Sequence, residues 1–146
     1  MITNLKIKGF RSLKELDVDL GPLTVLIGAN NSGKTNLMDF FMLLSEAADG
    51  RLADGIARRG GFRNLMYADE DIEEISWELM TERIGGAFTR YRATVRETNN
   101  TSSVWFEYLS QLDQVLLLRK EGESCAQVWE QGTPQIPPIS TAFGSE

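Results

Sequence analysis

The sequence contains no histidine and only one cysteine, Cys125. Without histidine, catalytic sites of the Ser–His and Cys–His kinds are excluded, as are zinc sites that need imidazole. A single cysteine cannot form an internal disulfide, which fits a reducing compartment. No apolar run approaches the ~18 residues of a membrane helix, and the N-terminus has no signal-peptide core. We therefore expect a cytoplasmic protein with no membrane partner.

Basic residues are in the minority, with 15 Lys and Arg against 21 Asp and Glu and a net charge of −6. A protein that binds duplex DNA over a broad face is usually basic, so we expect DNA binding by this chain to be weak. The charge is unevenly distributed, because residues 1–35 carry five basic and three acidic residues. The first part of the chain therefore offers positive charge to a small anion. The length of 146 residues suits one globular domain.

The pattern of apolar residues predicts three strands before residue 28. Residues 5–8 and 16–20 alternate between apolar and polar, which indicates two half-buried strands. After the Gly21-Pro22 turn, residues 23–27 are almost uniformly apolar and rich in β-branched side chains. Such a run is typical of a strand buried on both faces.

A helix is predicted over about residues 34–49, with Gly50 as the residue that closes it. Its apolar stripe consists of Leu37, Phe40, Phe41, Leu44 and Ala48.

Residues 51–67 show a less regular pattern. From about residue 72 to 130 the apolar period changes to two, which predicts an antiparallel β-meander. The separators Gly85-Gly86, Asn99-Asn100 and Gly122 are turn residues. Residues 132–146 contain several prolines, and we expect an irregular tail.

Residues 28–35 read GANNSGKT, which is the GxxxxGKT pattern of a phosphate-binding P-loop. A predicted strand precedes the pattern and a predicted helix follows it, as this motif requires. Gly28 and Gly33 allow the backbone to curl around phosphate, and the helix N-terminus adds partial positive charge. Lys34 reaches the β- and γ-phosphates, and the Thr35 hydroxyl ligates Mg²⁺. A glycine-containing turn that matches by chance is the alternative.

The surrounding segment resembles the N-terminal part of ABC-type ATPases of the RecF, SMC and OLD kind. In these proteins a first strand ends in a Phe-Arg-Ser-like triplet, here Phe10-Arg11-Ser12, and the loop reads GxNxSGK[ST], here with Asn30. Residues 58–62, with the sequence RRGGF, further resemble single-chain ATPases of this group that are filed as AAA-type. The close match covers about residues 1–67.

This resemblance implies an α/β fold, a RecF-like P-loop NTPase lobe over residues 1–131, with ATP and Mg²⁺ as cofactors. It makes Lys34 the candidate catalytic residue and Thr35 the candidate metal ligand. It also places Arg11 near the nucleotide, in contact with phosphate or stacked near the base; a solvated arginine at a strand end is the alternative. The candidate nucleotide-binding residues are Arg11, Gly28, Asn30, Asn31, Ser32, Gly33, Lys34, Thr35 and Asn36.

The loop departs from the family pattern at Asn31, where many relatives have glycine. Asparagine tolerates unusual backbone angles better than most residues, so we expect the loop to close.

Two elements that ATP hydrolysis needs are missing from the sequence. The most apolar run after the helix, residues 115–118, is followed by Arg119-Lys120 rather than by the Asp-Glu pair of a Walker B strand. The segment Leu109-Ser110-Gln111-Leu112 lacks the glycines of an ABC signature. P-loop NTPases need an acidic partner for Mg²⁺. We therefore favour the N-terminal part of a longer ATPase, with residues 132–146 leading into a second lobe, over a complete protein that binds nucleotide without hydrolysing it well.

Three function classes remain open. By resemblance, the first is an ATPase whose ATP-bound heads pair as a homodimer, with roles in DNA repair or phage defence and often a nuclease partner. The second is a P-loop kinase, which the β-meander disfavours because a kinase would continue as alternating βαβ units. The third is an interaction domain that binds nucleotide without hydrolysis.

Two charged groups admit a binding role, although a solvated surface explains each more simply. The carboxylates of residues 69–74 are compatible with a metal-binding cluster and with an exposed acidic turn. Four arginines are compatible with contact to nucleic acid or nucleotide. The alternative is an exposed loop whose arginines pair with that acidic stretch. They are Arg51, Arg58, Arg59 and Arg63.

Arg90, Arg92 and Arg96 share one face of a predicted strand. This face suits DNA backbone, but the negative net charge favours a solvated face. Cys125 and the three tryptophans are interpreted as packing residues.

Overall fold

The computed structural model of the chain describes residues 1–69, 71–82, 88–98, 101–111, 114–120 and 127–128. These residues form an α/β structure with one antiparallel sheet and two α-helices. The strands are β1 (Ile2–Phe10), β2 (Leu13–Asp19), β3 (Glu74–Glu82), β4 (Phe88–Thr98), β5 (Thr101–Gln111), β6 (Gln114–Lys120) and β7 (Gln127–Val128). The helices are α1 (Lys34–Ala48) and α2 (Leu52–Arg58), and a 3-10 turn covers Phe62–Asn64.

The strands lie in the order β2-β1-β3-β4-β5-β6-β7, and every neighbouring pair is antiparallel. β1 therefore lies between its hairpin partner β2 and the later strand β3. From β3 onward the strands follow chain order, which confirms the predicted meander. The predicted turn residues Gly85-Gly86, Asn99-Asn100 and Gly122 lie outside the described residues.

One face of the sheet carries the apolar core. Ile7 of β1 lies opposite Trp77 of β3, and both side chains are buried. α1 packs on this face through Phe40, whose ring meets the rings of Phe10 and Trp77 edge-on at centroid distances of 5.3 and 5.8 Å. Edge-to-face packing is a favoured arrangement of aromatic side chains. These contacts fix the position of α1, and with it the loop that leads into this helix.

The predicted helix is confirmed, although its buried stripe is shifted in the last two turns. The buried residues of α1 are Leu37, Phe40, Leu43 and Ala47. Ala48, which the prediction placed in the stripe, is exposed. Gly50 has a φ of 74° and its N–H donates to the Ala47 carbonyl at 2.9 Å, as expected of the residue that closes a helix.

The opposite face of the sheet carries charged side chains of alternating sign. Asp17, Lys6, Glu78 and Arg92 lie in one row across β2, β1, β3 and β4. Lys6 Nζ is 2.8 Å from an Asp17 carboxylate oxygen, and Arg92 Nε donates to Glu78 at 2.9 Å. The hydrogen bond from Lys6 lowers the pKa of Asp17. The sheet is thus apolar on the helix side and polar on the other.

Residues 23–27 form no strand, so the prediction of a strand buried on both faces is wrong here. Leu23, Val25 and Ile27 are 84%, 69% and 91% exposed. A strand needs a neighbour that pairs with its backbone and covers its side chains. Within the described part of the chain, no strand lies beside residues 23–27. The apolar composition indicates what this segment would bury, but it does not supply the partner.

Residues 51–67 are more regular than their sequence pattern indicates. They contain α2 and the 3-10 turn, and they bury Leu52, Ile56, Phe62 and Leu65 against the core. A seven-residue helix is too short to show a clear periodicity, and tertiary packing supplies most of its stability.

Several predictions fall on residues outside this description, namely Cys125, Trp129 and the tail of residues 132–146.

Trp77 is confirmed as a core residue. None of the described helices is long and apolar enough to cross a membrane.

Candidate functional site

A cleft of about 550 Å³ lies where the loop of residues 28–33 enters α1. It is lined by residues 30–36 and by Ser12 of the β1–β2 turn. The structure thus brings most of the predicted nucleotide-binding residues together, and it adds Ser12.

Lys34 holds the loop closed through its ammonium group. Its Nζ atom donates to the carbonyl oxygens of Gly28 and Ala29, both at 2.6 Å, and to the Ser32 hydroxyl at 3.1 Å. An ammonium group has three donors and no acceptor, so this geometry uses all three. The loop therefore curls around the charge that is predicted to meet phosphate.

The loop backbone adopts the unusual angles that the sequence predicts. Asn31 has a φ of 66° and Gly33 a φ of 91°. Asparagine and glycine are the residues that adopt this region at least cost, which confirms the expectation for Asn31. At Gly28 the requirement is for space, because a Cβ atom there would lie 2.7 Å from the Ser32 hydroxyl oxygen. The loop accordingly forms a tight cradle that larger side chains would fill.

The N-terminus of α1 opens into the same cleft. Among the described residues no side chain caps this terminus, and the first turn contains no acidic residue. The first N–H groups of a helix have no intrahelical acceptor, and the helix dipole gives them partial positive charge. Thr35, in this first turn, is exposed at the cleft. Together with Lys34, this donor set suits a phosphate group, and the Thr35 hydroxyl suits a hydrated metal ion.

Ser12 is a site residue that the motif search missed. Asn36 Nδ2 donates a 2.7 Å hydrogen bond to the Ser12 hydroxyl, which joins the β1–β2 turn to the first turn of α1. The sequence contains a signal for it, because Ser12 is the last residue of the Phe-Arg-Ser triplet, but the resemblance implies a nucleotide contact only for Arg11.

Arg11 does not line the cleft in this conformation. Its Nη2 atom lies 3.0 Å from Asp39 on α1, and its backbone N–H donates to Leu65 at 2.7 Å. Arg11 also has a φ of 47°, a left-handed angle that residues other than glycine adopt infrequently. The predicted contact of Arg11 with nucleotide stays a prediction.

Arg59 is the central member of a charge cluster on α1 and α2. It donates from Nε to Asp39 at 2.8 Å and from Nη1 to Glu46 at 2.5 Å, and it is 9% exposed. Burial alone would lower the pKa of Arg59, but the hydrogen bonds to both carboxylates outweigh it and raise the pKa. A permanently charged Arg59 therefore ties α2 to α1.

The remaining arginines of this region are paired, although not with the acidic stretch that was predicted. Arg51 contacts Asp49 and Arg58 contacts Glu46, while Arg63 contacts Glu97 on β4. Arg51, Arg58 and Arg63 are more than half exposed, as expected of a surface.

The Arg90, Arg92 and Arg96 side chains lie on the polar face of β4, as predicted. Arg90 and Arg92 contact the Glu78 carboxylate of β3, and Arg96 contacts the Glu74 carboxylate of the same strand. This pairing supports the interpretation as a solvated face.

The described carboxylates of residues 69–74 do not form a metal site. Within the described residues, no group of three or more His, Cys, Asp or Glu side chains could hold a metal ion. Asp69 instead pairs with Lys14 at 2.7 Å, and this hydrogen bond lowers the pKa of Asp69. Glu70 lies outside the described residues.

The comparisons with known proteins place the chain among the ATPase domains. The chain belongs to the AAA ATPase domain family, whose model matches residues 1–131. This match and the relatives below confirm the resemblance to RecF- and OLD-type ATPases.

Three curated relatives illustrate the similarity. The chain is 30% identical over 111 residues to the DNA replication and repair protein RecF of Oenococcus oeni, which covers 75% of this chain and 26% of that protein. It is 36% identical over 90 residues to RecF of Halalkalibacterium halodurans, covering 61% of this chain and 20% of that protein. It is 45% identical over 38 residues to the OLD nuclease of Thermus scotoductus, covering 26% and 7%. The chain thus spans 26% or less of the length of these relatives.

Proposed function

We propose that residues 28–36 bind the triphosphate of ATP together with Mg²⁺. The observation that carries this proposal is the convergence of the Lys34 ammonium group, the tight loop and the uncapped N-terminus of α1 on one cleft. The GxxxxGKT loop is therefore interpreted as a Walker A motif.

The roles of the loop residues follow from their donor chemistry. Lys34 donates to neutral carbonyl oxygens in the structure, and charged phosphate oxygens are stronger acceptors, so the ammonium group would exchange these partners for phosphate. Thr35 would hold Mg²⁺, which when bound neutralises charge on the β- and γ-phosphates. Asn30, Asn31, Ser32, Gly33 and Asn36 would contribute the surrounding loop and helix-start surface. Gly28 does not line the cleft, and its part is to begin the loop and accept the hydrogen bond from Lys34. Arg11 would have to leave Asp39 before it could reach nucleotide.

We also propose that the chain forms the N-terminal lobe of a longer RecF/SMC/OLD-like ATPase. The exposed apolar residues 23–27 support this, because a strand from a second lobe would cover them. The relatives are about four or more times longer than the matched segment. In such a protein the Walker B carboxylate and the signature would come from the second lobe. Head-to-head dimerisation, DNA repair or phage defence, a nuclease partner and a cytoplasmic location belong to the same proposal.

Nucleotide binding without hydrolysis is the second candidate function. It rests on β6, the most apolar strand after the loop, which ends at Lys120 with no carboxylate next to its apolar run. A P-loop kinase remains disfavoured, since the sheet continues as an antiparallel meander rather than as βαβ units.

The test is a titration of the 146-residue chain with MgATP by calorimetry, comparing wild type with Lys34→Ala. Loss of a charged hydrogen-bond donor to phosphate should weaken binding by about 10- to 100-fold. Lys8→Ala is the matched control, because Lys8 is an exposed lysine on the polar face of β1. Its affinity should stay within about twofold of wild type. Equal affinities of wild type and Lys34→Ala would remove the Walker A assignment.

A further inference from the structure

Asp39 joins two arginines that come from distant parts of the chain. Its carboxylate accepts a hydrogen bond from Arg59 through Oδ1 and pairs with Arg11 through Oδ2. The Asp39 side chain is 22% exposed, so water screens these charges less than it screens a surface pair. Arg11 is 33% exposed and its contact with Oδ2 is an ion pair without a hydrogen bond, so Asp39 holds Arg11 by charge alone.

The β1–β2 turn is held on α1 at two successive points. Ser12 accepts a hydrogen bond from Asn36, and the preceding residue, Arg11, pairs with Asp39. Asn36 and Asp39 are three positions apart, so they lie on one face of the helix about one turn apart. The first contact lies in the cleft and the second lies just beyond it. The backbone of the turn is also held to residue 65 through the Arg11 N–H, so the two contacts with α1 set the fine orientation of the Ser12 side chain rather than the course of the turn.

We infer that Asp39 is a positioning residue of the nucleotide cleft. Its carboxylate holds Arg11, which orients the β1–β2 turn and keeps the Ser12 hydroxyl against Asn36 at the cleft wall. Asp39 itself does not line the cleft, so it acts through Arg11 and Ser12. The inference rests on the proposed function, because it assigns a task to this cleft, but its first test needs no nucleotide.

Removing the charge of Asp39 leaves the helix packing in place. Arg59 keeps its hydrogen bonds to Glu46 and to the Gly55 carbonyl. The aromatic contacts of Phe40 with the sheet do not involve Asp39. Asp39→Asn also keeps the size of the side chain and an oxygen that accepts from Arg59. The fold is thus expected to survive while the hold on Arg11 weakens.

The first experiment follows the Asn36 side-chain amide by nuclear magnetic resonance in the nucleotide-free chain. In Asp39→Asn, the Asn36 amide and the Ser12 backbone amide should shift toward the values seen in Ser12→Ala, where the hydrogen bond cannot form. Glu46→Gln is the matched control, since Glu46 lies on the same helix, is 17% exposed and pairs with Arg58 and Arg59 but not with the turn. Both amides should keep their wild-type positions in Glu46→Gln.

The second experiment measures MgATP affinity. Asp39→Asn should weaken binding about tenfold, the size of an ordinary coupling between neighbouring sites, while Glu46→Gln stays within about twofold. In a Ser12→Ala background, Asp39→Asn should cause no further loss, because the group that Asp39 positions is already gone. Asp39→Glu, which keeps the charge, should recover part of the affinity.

The outcomes separate this inference from the proposed function. If wild type fails to bind MgATP, or if wild type and Lys34→Ala bind it with equal affinity, the proposed function is wrong. The resonance experiment still decides the role of Asp39, because it uses no nucleotide. If the Asn36 and Ser12 amides stay in place in Asp39→Asn, or if its affinity loss adds fully to that of Ser12→Ala, the inference is overturned. If Asp39→Asn does not fold, the same resonance measurement on Arg11→Met decides, because that variant removes the other half of the pair. Unchanged Ser12 and Asn36 amides there would likewise overturn it.

Discussion

Tyr91 donates its phenolic hydrogen to a carboxylate oxygen of Glu107 at 3.0 Å, from one strand of the sheet to the next. Glu107 is 1% exposed and lies on the face that carries the core, where a charged group needs partners. Burial raises the pKa of Tyr91, and the nearby Glu107 charge and hydrogen bond raise it further. The pair is a polar contact inside an otherwise apolar layer, and no sequence pattern pointed to it.

The first prediction concerns alkaline pH. Because the pKa of Tyr91 is raised in the folded state, its contribution to stability is present below the unfolded pKa of about 10 and is lost as pH rises above it. Tyr91→Phe should lower the free energy of unfolding by about 1.5–3 kcal/mol at neutral pH, since the hydrogen bond has a charged acceptor. The difference from wild type should shrink above about pH 10. Urea unfolding at several pH values measures both, and a constant difference across this range would contradict the assignment.

The second prediction contrasts an exposed and a buried isoleucine. Ile27→Ala should change the free energy of unfolding of the 146-residue chain by less than about 0.5 kcal/mol, because Ile27 is 91% exposed. Ile7→Ala should cost about 2–5 kcal/mol, because Ile7 is 1% exposed and its removal leaves a cavity. Urea midpoints of the two variants test this. A large cost at Ile27 would mean that residues 23–27 are covered within the chain.

The third prediction concerns turnover. The chain should bind MgATP yet release negligible phosphate, because the described residues offer no carboxylate beside the cleft to hold the Mg²⁺ shell or orient water. Phosphate release measured on wild type and on Thr35→Ala should be equally low. Robust release that disappears in Thr35→Ala would show that the chain supplies its own acidic partner.

The fourth prediction concerns duplex DNA. Within residues 58–63, Arg58 and Arg63 are exposed, whereas Arg59 is buried in ion pairs, so this segment would neutralise two phosphates at most. A plot of the logarithm of the binding constant against the logarithm of the salt concentration should then have a slope of about −2. Fluorescence anisotropy over a salt series measures this slope. Tight binding at physiological salt that persists when Arg58 and Arg63 are reversed to glutamate would place the DNA surface elsewhere.

The loop and α1 were predictable because their signals are local. Gly28, Gly33 and Lys34 stand at fixed spacing, and the apolar stripe of α1 repeats with the helical period. The meander was predictable for the same reason, since alternation of period two is a property of each strand by itself.

The rest depends on contacts between distant segments. Whether residues 23–27 are buried depends on a neighbouring strand, which composition cannot supply. The pairing of Asp39 with Arg11 and Arg59 depends on how the turn, α1 and α2 meet, and nothing in the sequence links the three residues. Asp39 lies off the apolar stripe of α1, so periodicity alone assigns it to solvent.

The position of β1 between β2 and β3 has a consequence for the folding kinetics of the chain. The β1–β2 hairpin closes through a short turn, whereas pairing of β1 with β3 must wait until the loop and both helices have been enclosed. Closing that long segment costs more chain entropy, and sheets with distant pairings fold more slowly than those with local ones. The β1–β2 hairpin can therefore form early, while the sheet that supports α1 is completed late.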